Sequence, residues 1–155
     1  MLIQIILKFT MAYVRGGFIP SFIHMDEPLK KLKESGIGCT IGKSYFGALS
    51  YADDLALICH SIVGLQSMIN ICTEFGKQYD IAFNPKKTVT ICFSKTPKPV
   101  DFTVVMHRRN IPCSSSVKYL GCYLMYNLKE EKEIEAKQND FIAKVNSLIY
   151  RFNFT

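Results

Sequence analysis

The chain has 155 residues, of which 48% are hydrophobic and 21% charged, a composition that excludes a disordered segment and is typical of one globular domain. Its net charge is +6, and residues 77–118 carry all of that excess, with eight basic and two acidic side chains. Such a block indicates a polyanionic partner, although a basic surface that is simply solvated explains the charge as well.

The cysteines and the N-terminus exclude several other classes of protein. Six cysteines and three histidines have no spacing typical of a zinc site, and most cysteines lie among apolar residues. The apolar run over residues 1–7 is far shorter than the about 20 residues that span a bilayer, and it lacks the features of a signal peptide. We therefore expect a cytoplasmic or nuclear protein, not secreted, with no membrane segment and no zinc.

The first half of the chain predicts a helix followed by a β-hairpin. Residues 1–14 have no clear pattern, and a strand or a short helix fits equally well. A helix is predicted over residues 26–33, with Asp26 as its N-cap. Residues 44–50 and 55–59 predict two strands, the second buried, and the four residues between them form the bend of a hairpin.

The second half predicts a helix, more strands and a long final helix. Ser61 can cap a helix with one apolar face, formed by Leu65, Met68, Ile69, Cys72, Phe75 and Gly76. A turn is predicted over 84–87, strands over 88–94, 102–106 and 117–124, and an amphipathic helix between Ile134 and Phe152. The order of elements predicts an α+β fold, an antiparallel sheet with helices on one face.

Two adjacent carboxylates, Asp53 and Asp54, stand at the predicted bend within the most apolar stretch of the chain. Like charges side by side repel, and partly desolvated carboxylates are unfavourable without a cation. A hard divalent ion such as Mg²⁺ would compensate them through oxygen ligands. A solvated hairpin turn that tolerates two aspartates is the alternative.

A pair of lysines, Lys86 and Lys87, follows in the predicted turn after the first capped helix. The order of elements can bring this turn close to the carboxylates. A metal with a lysine is the combination that phosphoryl or nucleotidyl transfer uses to neutralise phosphates. A solvated lysine pair remains the alternative.

The motif Tyr51-Ala52-Asp53-Asp54 between two hydrophobic strands resembles the signature of reverse transcriptases. The surrounding sequence resembles the non-LTR (LINE-type) retrotransposon enzymes. The matching stretches are K-K-L-K-E-S-G-I-G-C at 30–39, G-A-L-S-Y-A-D-D-L at 47–55, F-N-P-K-K-T at 83–88 and V-K-Y-L-G at 117–121. The order of these motifs is more specific than the four-letter motif alone, and the resemblance covers about residues 15–155.

The resemblance implies an RNA-directed DNA polymerase that uses an RNA template, a DNA primer and dNTPs. It implies that Asp53 binds the catalytic Mg²⁺ or Mn²⁺, with Asp54 as its less critical neighbour. Lys87, together with Lys86, corresponds to the lysine near the leaving pyrophosphate.

The resemblance also implies the residues that hold the primer. Tyr51 and Ala52 would lie beside the primer terminus. Tyr119, Leu120 and Gly121 resemble the primer-grip hairpin. By this resemblance, residues 1–14 are unassigned, 15–125 form a partial palm and 126–155 begin the thumb.

Two departures from the family lead us to expect a chain that is inactive alone. Two-metal transfer needs a third carboxylate from a separate strand, and the upstream acidic residues, Asp26, Glu27 and Glu34, all lie in or near a predicted helix. The stretch over 15–21 has lost the glutamine of the related family motif, and no segment resembles the fingers. We expect a fragment of a palm, with apolar sheet edges left open by the missing strand.

The sequence leaves three interpretations open. The chain is part of a reverse transcriptase that is active only within a longer protein, an inactive remnant whose basic block binds nucleic acid, or a relic with no selected role.

Overall fold

The computed structural model describes residues 4–13, 21–51, 54–79, 81–94 and 98–152. The helices are α1 (Ser21–Glu34), α2 (Ile62–Gln78) and α3 (Glu131–Phe152). The strands of the first half are β1 (Gln4–Tyr13), β2 (Thr40–Ile41), β3 (Ser44–Tyr45), β4 (Ala48–Tyr51) and β5 (Asp54–Cys59). Those of the second half are β6 (Ile81–Phe83), β7 (Val89–Phe93), β8 (Thr103–Met106), β9 (Arg109–Ser114), β10 (Ser116–Tyr119) and β11 (Cys122–Met125).

A seven-stranded sheet forms the centre of the fold. Its order is β4-β5-β1-β7-β9-β8, and β6 pairs with β1 beyond the end of β7. Neighbouring strands run antiparallel except β7 and β9, which are parallel. Two small hairpins, β2–β3 and β10–β11, complete the strands. The predicted α+β class is confirmed.

β1 is the central strand of this sheet, although its sequence carried no clear pattern. It pairs with β5 from Ile5 to Thr10 and with β7 from Gln4 to Lys8. The inner edges of β5 and β7 are therefore not open, because β1 hydrogen-bonds to both strands, whereas β4 and β8 are the outer strands of the sheet. A short apolar run takes its conformation from the partners on either side, which its own residues do not identify.

Helices α1 and α2 cover one face of the sheet, and the β10–β11 hairpin packs against part of the other. Leu55, Leu57 and Cys59 of β5 lie in the larger core with the two helices. Cys92 of β7 also belongs to that core. The residues on either side of Cys92, Ile91 and Phe93, instead form a smaller core with Val117 of the hairpin. β7 alternates as predicted, but it is buried on both faces.

Helix α2 agrees with its prediction in every described respect. The Ser61 side chain accepts a 3.0 Å hydrogen bond from the backbone N–H of Gly64, which satisfies one of the free donors of the first turn. Its buried face consists of Leu65, Met68, Ile69, Cys72, Phe75 and Gly76. The 3.6-residue period of apolar residues therefore predicted correctly which side chains of α2 are buried.

Helix α1 begins at Ser21, so the prediction that Asp26 caps its N-terminus was wrong. Pro28 lies inside the helix, where it removes one backbone hydrogen bond. Contacts with α2 stabilise α1 in spite of this: Leu32 is fully buried in the common core, and the Tyr79 hydroxyl donates a 2.6 Å hydrogen bond to Glu27.

Two of the predicted strands are each divided by a turn or break. The strand predicted over 44–50 is interrupted between Tyr45 and Ala48, and the Tyr45 ring occupies the space that a Cβ atom would need at Gly47. The Tyr45 hydroxyl donates a 2.8 Å hydrogen bond to the Ile37 carbonyl, which fixes that ring. The strand predicted over 117–124 is the β10–β11 hairpin, since Leu120 and Gly121 have positive φ angles of 49° and 86°.

The long C-terminal helix is confirmed as α3, and it contacts β11. Three of its apolar side chains are largely exposed: Ile134 at 51%, Phe141 at 67% and Ile142 at 54%. Of the helices in the described ranges, none is long and apolar enough to cross a membrane.

The described cysteines are free thiols, and four of the six are buried. Burial raises the pKa of Cys72 to about 12, because the apolar core disfavours the charged thiolate. This agrees with the interpretation that most of these cysteines act as small buried hydrophobes.

Candidate functional site

The predicted acidic bend joins β4 and β5, which pair antiparallel up to Tyr51 and Asp54. The hairpin itself is therefore confirmed. Ala52 and Asp53 lie outside the described residues, so the proposed metal ligand Asp53 has no described position. Asp54 is half-buried as the first residue of β5, and Tyr51 is 62% exposed.

The register determines on which face of the sheet Asp54 lies. Side chains alternate along a strand, and Leu55 and Leu57 of β5 point into the core below the helices. Asp54 therefore belongs to the opposite face, which we call the open face. Tyr51 shares that face, because directly paired residues of neighbouring strands point the same way.

The β10–β11 hairpin packs against the same open face. Ile91 stands level with Ile58 through their common partner in β1, and Ile58 is on the Asp54 side of β5. The hairpin covers Ile91 through Val117. Sequence-distant parts of the candidate site thus lie on the same face of the sheet, because two strands share β1 as a neighbour.

Tyr119 is close enough to Asp54 for the two groups to interact electrostatically. Partial burial raises the pKa of the Tyr119 hydroxyl, and the Asp54 carboxylate raises it further. Leu120 and Gly121 instead form the exposed turn of the hairpin. Tyr119 therefore lies within electrostatic range of the carboxylate, whereas the other two residues of the motif form the tip of the hairpin.

The turn that carries Lys86 and Lys87 is organised by Asn84. The Asn84 side chain accepts a 3.0 Å hydrogen bond from the Lys86 N–H, and its carbonyl accepts from the Lys87 N–H at 3.1 Å. The Thr88 hydroxyl also donates to that carbonyl, at 2.8 Å. These bonds fix the backbone while both lysine side chains remain exposed.

The lysine turn lies across β1 from the carboxylate. On one edge of β1, strand β6 ends opposite Met11 and β7 begins opposite Lys8, and the lysine turn connects the two strands. On the other edge of β1, Asp54 pairs with Thr10. Two strand spacings of about 4.8 Å separate β5 from β7. The strands β5 and β7 therefore lie about 10 Å apart, and the approach of the basic turn to the acidic bend stays a prediction.

The donors that the structure describes do not fit a two-ion metal centre. Such a centre needs carboxylates from separate strands, and β1 and β7 contain neither Asp nor Glu. Over the described ranges, no three His, Cys, Asp or Glu side chains gather in a group that could hold a metal ion. Thr10 is the residue that β1 places opposite Asp54.

The sequence predictions missed a second basic turn, between β8 and β9. Its residues His107 and Arg108 have positive φ angles of 48° and 62°, and Arg109 begins β9. All three side chains are exposed. The charge count included the two arginines of this turn, but no motif located them. A pair of charged residues between two predicted strands is the signal that would have found them.

A comparison with protein families identifies residues 21–124 as a match to the family "Reverse transcriptase (RNA-dependent DNA polymerase)". The match covers more than half of the chain. The chain belongs to the reverse transcriptase family. A search of curated proteins finds no match. Within this reverse transcriptase chain the family match includes the β4–β5 hairpin, the lysine turn and most of the β10–β11 hairpin, whereas β1 and α3 lie outside it.

Proposed function

We propose that this chain is the later part of a non-LTR (LINE-type) retrotransposon palm with the beginning of a thumb, and that it does not polymerise DNA alone. In this proposal residues 15–125 belong to the palm and 126–155 to the thumb. The order of the acidic bend, the lysine turn and the β10–β11 hairpin supports the assignment. A longer parent enzyme would work in the cytoplasm or nucleus on an RNA template, a DNA primer and dNTPs.

We assign roles in that parent enzyme to the residues of the open face and the lysine turn. Asp53 and Asp54 would hold Mg²⁺ or Mn²⁺, the cations that promote nucleotidyl transfer. Lys87, with Lys86 beside it, would neutralise the leaving pyrophosphate.

The primer would contact the two hairpins. Tyr51 and Ala52 would lie beside its terminus, and Tyr119, Leu120 and Gly121 would support it from the β10–β11 hairpin. The interaction of Tyr119 with Asp54 supports this arrangement, because it connects the second hairpin to the acidic bend.

The proposal that the chain is inactive rests on the composition of β1. This strand lies beside β5, where a carboxylate from a separate strand would have to stand, yet its ten residues include no Asp or Glu. Without such a ligand the cations would lack coordination, and the developing charge on the phosphate would not be neutralised.

A primer-extension assay tests the inactivity. The purified chain, incubated with a labelled DNA primer on an RNA template and with Mg²⁺ or Mn²⁺, should give no product above background. The Asp53→Asn variant serves as the matched control and should behave identically. Extension by the unmodified chain that disappears in Asp53→Asn would contradict the proposal.

The charge distribution favours a second function, binding of nucleic acid without catalysis. The whole excess of positive charge falls within residues 77–118. Filter binding of a labelled nucleic acid at increasing salt tests it, because phosphate contacts release counterions and make affinity fall with salt. A flat response to salt, or no binding at low salt, would exclude this second function.

A further inference from the structure

A cleft of about 480 Å³ lies between the lysine turn and the β8–β9 turn, and we call it the basic cleft. Its lining residues are Phe83, Asn84, Pro85, Lys86, His107 and Arg109. It combines two turns that are more than twenty residues apart in sequence. Neither His107 nor Arg109 has a role in the proposed nucleotidyl transfer.

The cleft carries positive charge that nothing around it neutralises in the described ranges. No carboxylate is among its described lining residues. Neither Lys86 nor Arg109 takes part in an ion pair within that part of the chain. An anion that entered the cleft would therefore meet cations without having to displace a competing carboxylate.

Both walls of the cleft are held in place by their backbones. On one side, the hydrogen bonds of Asn84 fix the lysine turn. On the other side, His107 and Arg108 occupy the left-handed region that a tight hairpin requires, where Asn and Gly are the favoured residues. Basic residues in a turn that favours Asn-Gly are unfavourable for folding, which is a pattern typical of functional positions.

The chemistry of the lining favours a phosphate over a base. The aromatic residue of the cleft, Phe83, is 3% exposed and therefore cannot offer its face for stacking. Arg109 has a planar guanidinium that can donate two parallel hydrogen bonds to phosphate oxygens, and Lys86 supplies a second positive charge. Such contacts position a strand without reading its sequence.

We propose that the basic cleft binds a backbone phosphate of a nucleic acid, held by Arg109 and Lys86 with His107 as an additional donor. This inference rests on the proposed binding of nucleic acid and deepens it by assigning a site, and binding at the cleft requires neither a metal nor catalysis. Arg109 lines the basic cleft and Arg108 does not: Arg108 lines another cavity together with Glu74 and Lys77, and His107 borders both.

The two neighbouring arginines provide a matched pair of variants. Arg108 lines the same cavity as Lys77 and Glu74, whose charged atoms are 2.6 Å apart, so that cavity contains a carboxylate. Arg109→Gln and Arg108→Gln remove the same charge from adjacent positions of one turn. Long-range attraction alone would make them equivalent, whereas a phosphate in the basic cleft makes only Arg109 important.

The test is the salt dependence of binding to a labelled RNA–DNA hybrid of about 20 base pairs, measured by fluorescence anisotropy in KCl. We expect Arg109→Gln to weaken binding about fivefold to tenfold at about 100 mM salt and to reduce the slope of log K against log salt by about one. Arg108→Gln should retain the slope of the unmodified chain, and Arg109→Lys should retain most of it. Thermal unfolding of each variant verifies that it is folded.

Several outcomes would overturn the proposal. These are equal losses in Arg108→Gln and Arg109→Gln, an unchanged slope in a folded Arg109→Gln, and no binding of the hybrid by the unmodified chain. Displacement of the hybrid by inorganic phosphate at matched ionic strength would identify a site for the free anion instead. Absence of hybrid binding would contradict the proposed binding of nucleic acid as a whole, whereas equal losses in the two arginine variants would contradict the basic cleft alone. Primer extension does not enter this measurement.

Discussion

The helices and the strand-connecting turns of this protein use their basic residues in different ways. On the helices, Lys31, Lys77 and Lys144 each pair with a carboxylate three or four residues away, at N–O distances of 3.2, 2.6 and 2.6 Å. In the two turns of the sheet, Lys86 and Arg109 have no ion pair within the described residues. At these positions, positive charge is neutralised locally on the helices and stays exposed in the turns.

Helical geometry explains this difference. Residues three or four apart on a helix are neighbours, so a sequence can balance its charges within one turn of the helix. A turn between strands has no such regular neighbours, and its charges remain available to a partner. The helical layer also contains the main core, whereas the basic turns are exposed. We therefore expect substitutions in the helical layer to change stability and those in the turns to change binding.

The largest expected effect is the loss of core packing in α2. Leu65 is fully buried, so Leu65→Ala should lower the free energy of unfolding by about 2–5 kcal/mol, because it leaves a cavity in the main core. Val63→Ala is the matched control on the same helix, since Val63 is 78% exposed. Its effect should stay within about 0.5 kcal/mol. If urea unfolding showed the same loss of free energy in Leu65→Ala and Val63→Ala, the buried face of α2 would not be part of the main core.

In the β8–β9 turn we expect a substitution to raise the free energy of unfolding. The double variant His107→Asn/Arg108→Gly gives this turn the residues that its positive φ angles favour. We expect it to raise the free energy of unfolding by about 1–2 kcal/mol. Arg109→Gln, at a position without a positive φ, should change stability by less than about 0.5 kcal/mol. A double variant less stable than the unmodified chain would contradict the positive φ angles of His107 and Arg108.

The helical layer was also the more predictable of the two regions. Ser61 and the six buried residues of α2 follow from a cap and a 3.6-residue period, which are both local signals. The β4–β5 hairpin follows from two apolar strands around a short polar bend. In each case the information lies within about twenty residues of sequence.

The parts that could not be predicted depend on distant partners. β1 becomes the central strand only because residues 54–59 and 89–93 lie on either side of it. The separation of Tyr119 from Leu120 and Gly121 depends on a positive φ at a leucine, a residue type that does not predict a tight turn. The basic cleft combines two turns through the parallel pairing of β7 with β9, which no local pattern indicates.

The smallest expected effect is the loss of a helical ion pair, and it tests the comparison most directly. Lys77 and Glu74 are both more than half exposed, so Lys77→Gln should lower the free energy of unfolding by less than about 0.5 kcal/mol. That difference should vanish at about 1 M salt, where exposed charges are screened. Because Glu74 already neutralises Lys77, the variant should retain the salt slope of hybrid binding, whereas Lys86→Gln should reduce it by about one. Equal reductions in the two lysine variants would mean that total charge, and not its pairing, governs the interaction with nucleic acid.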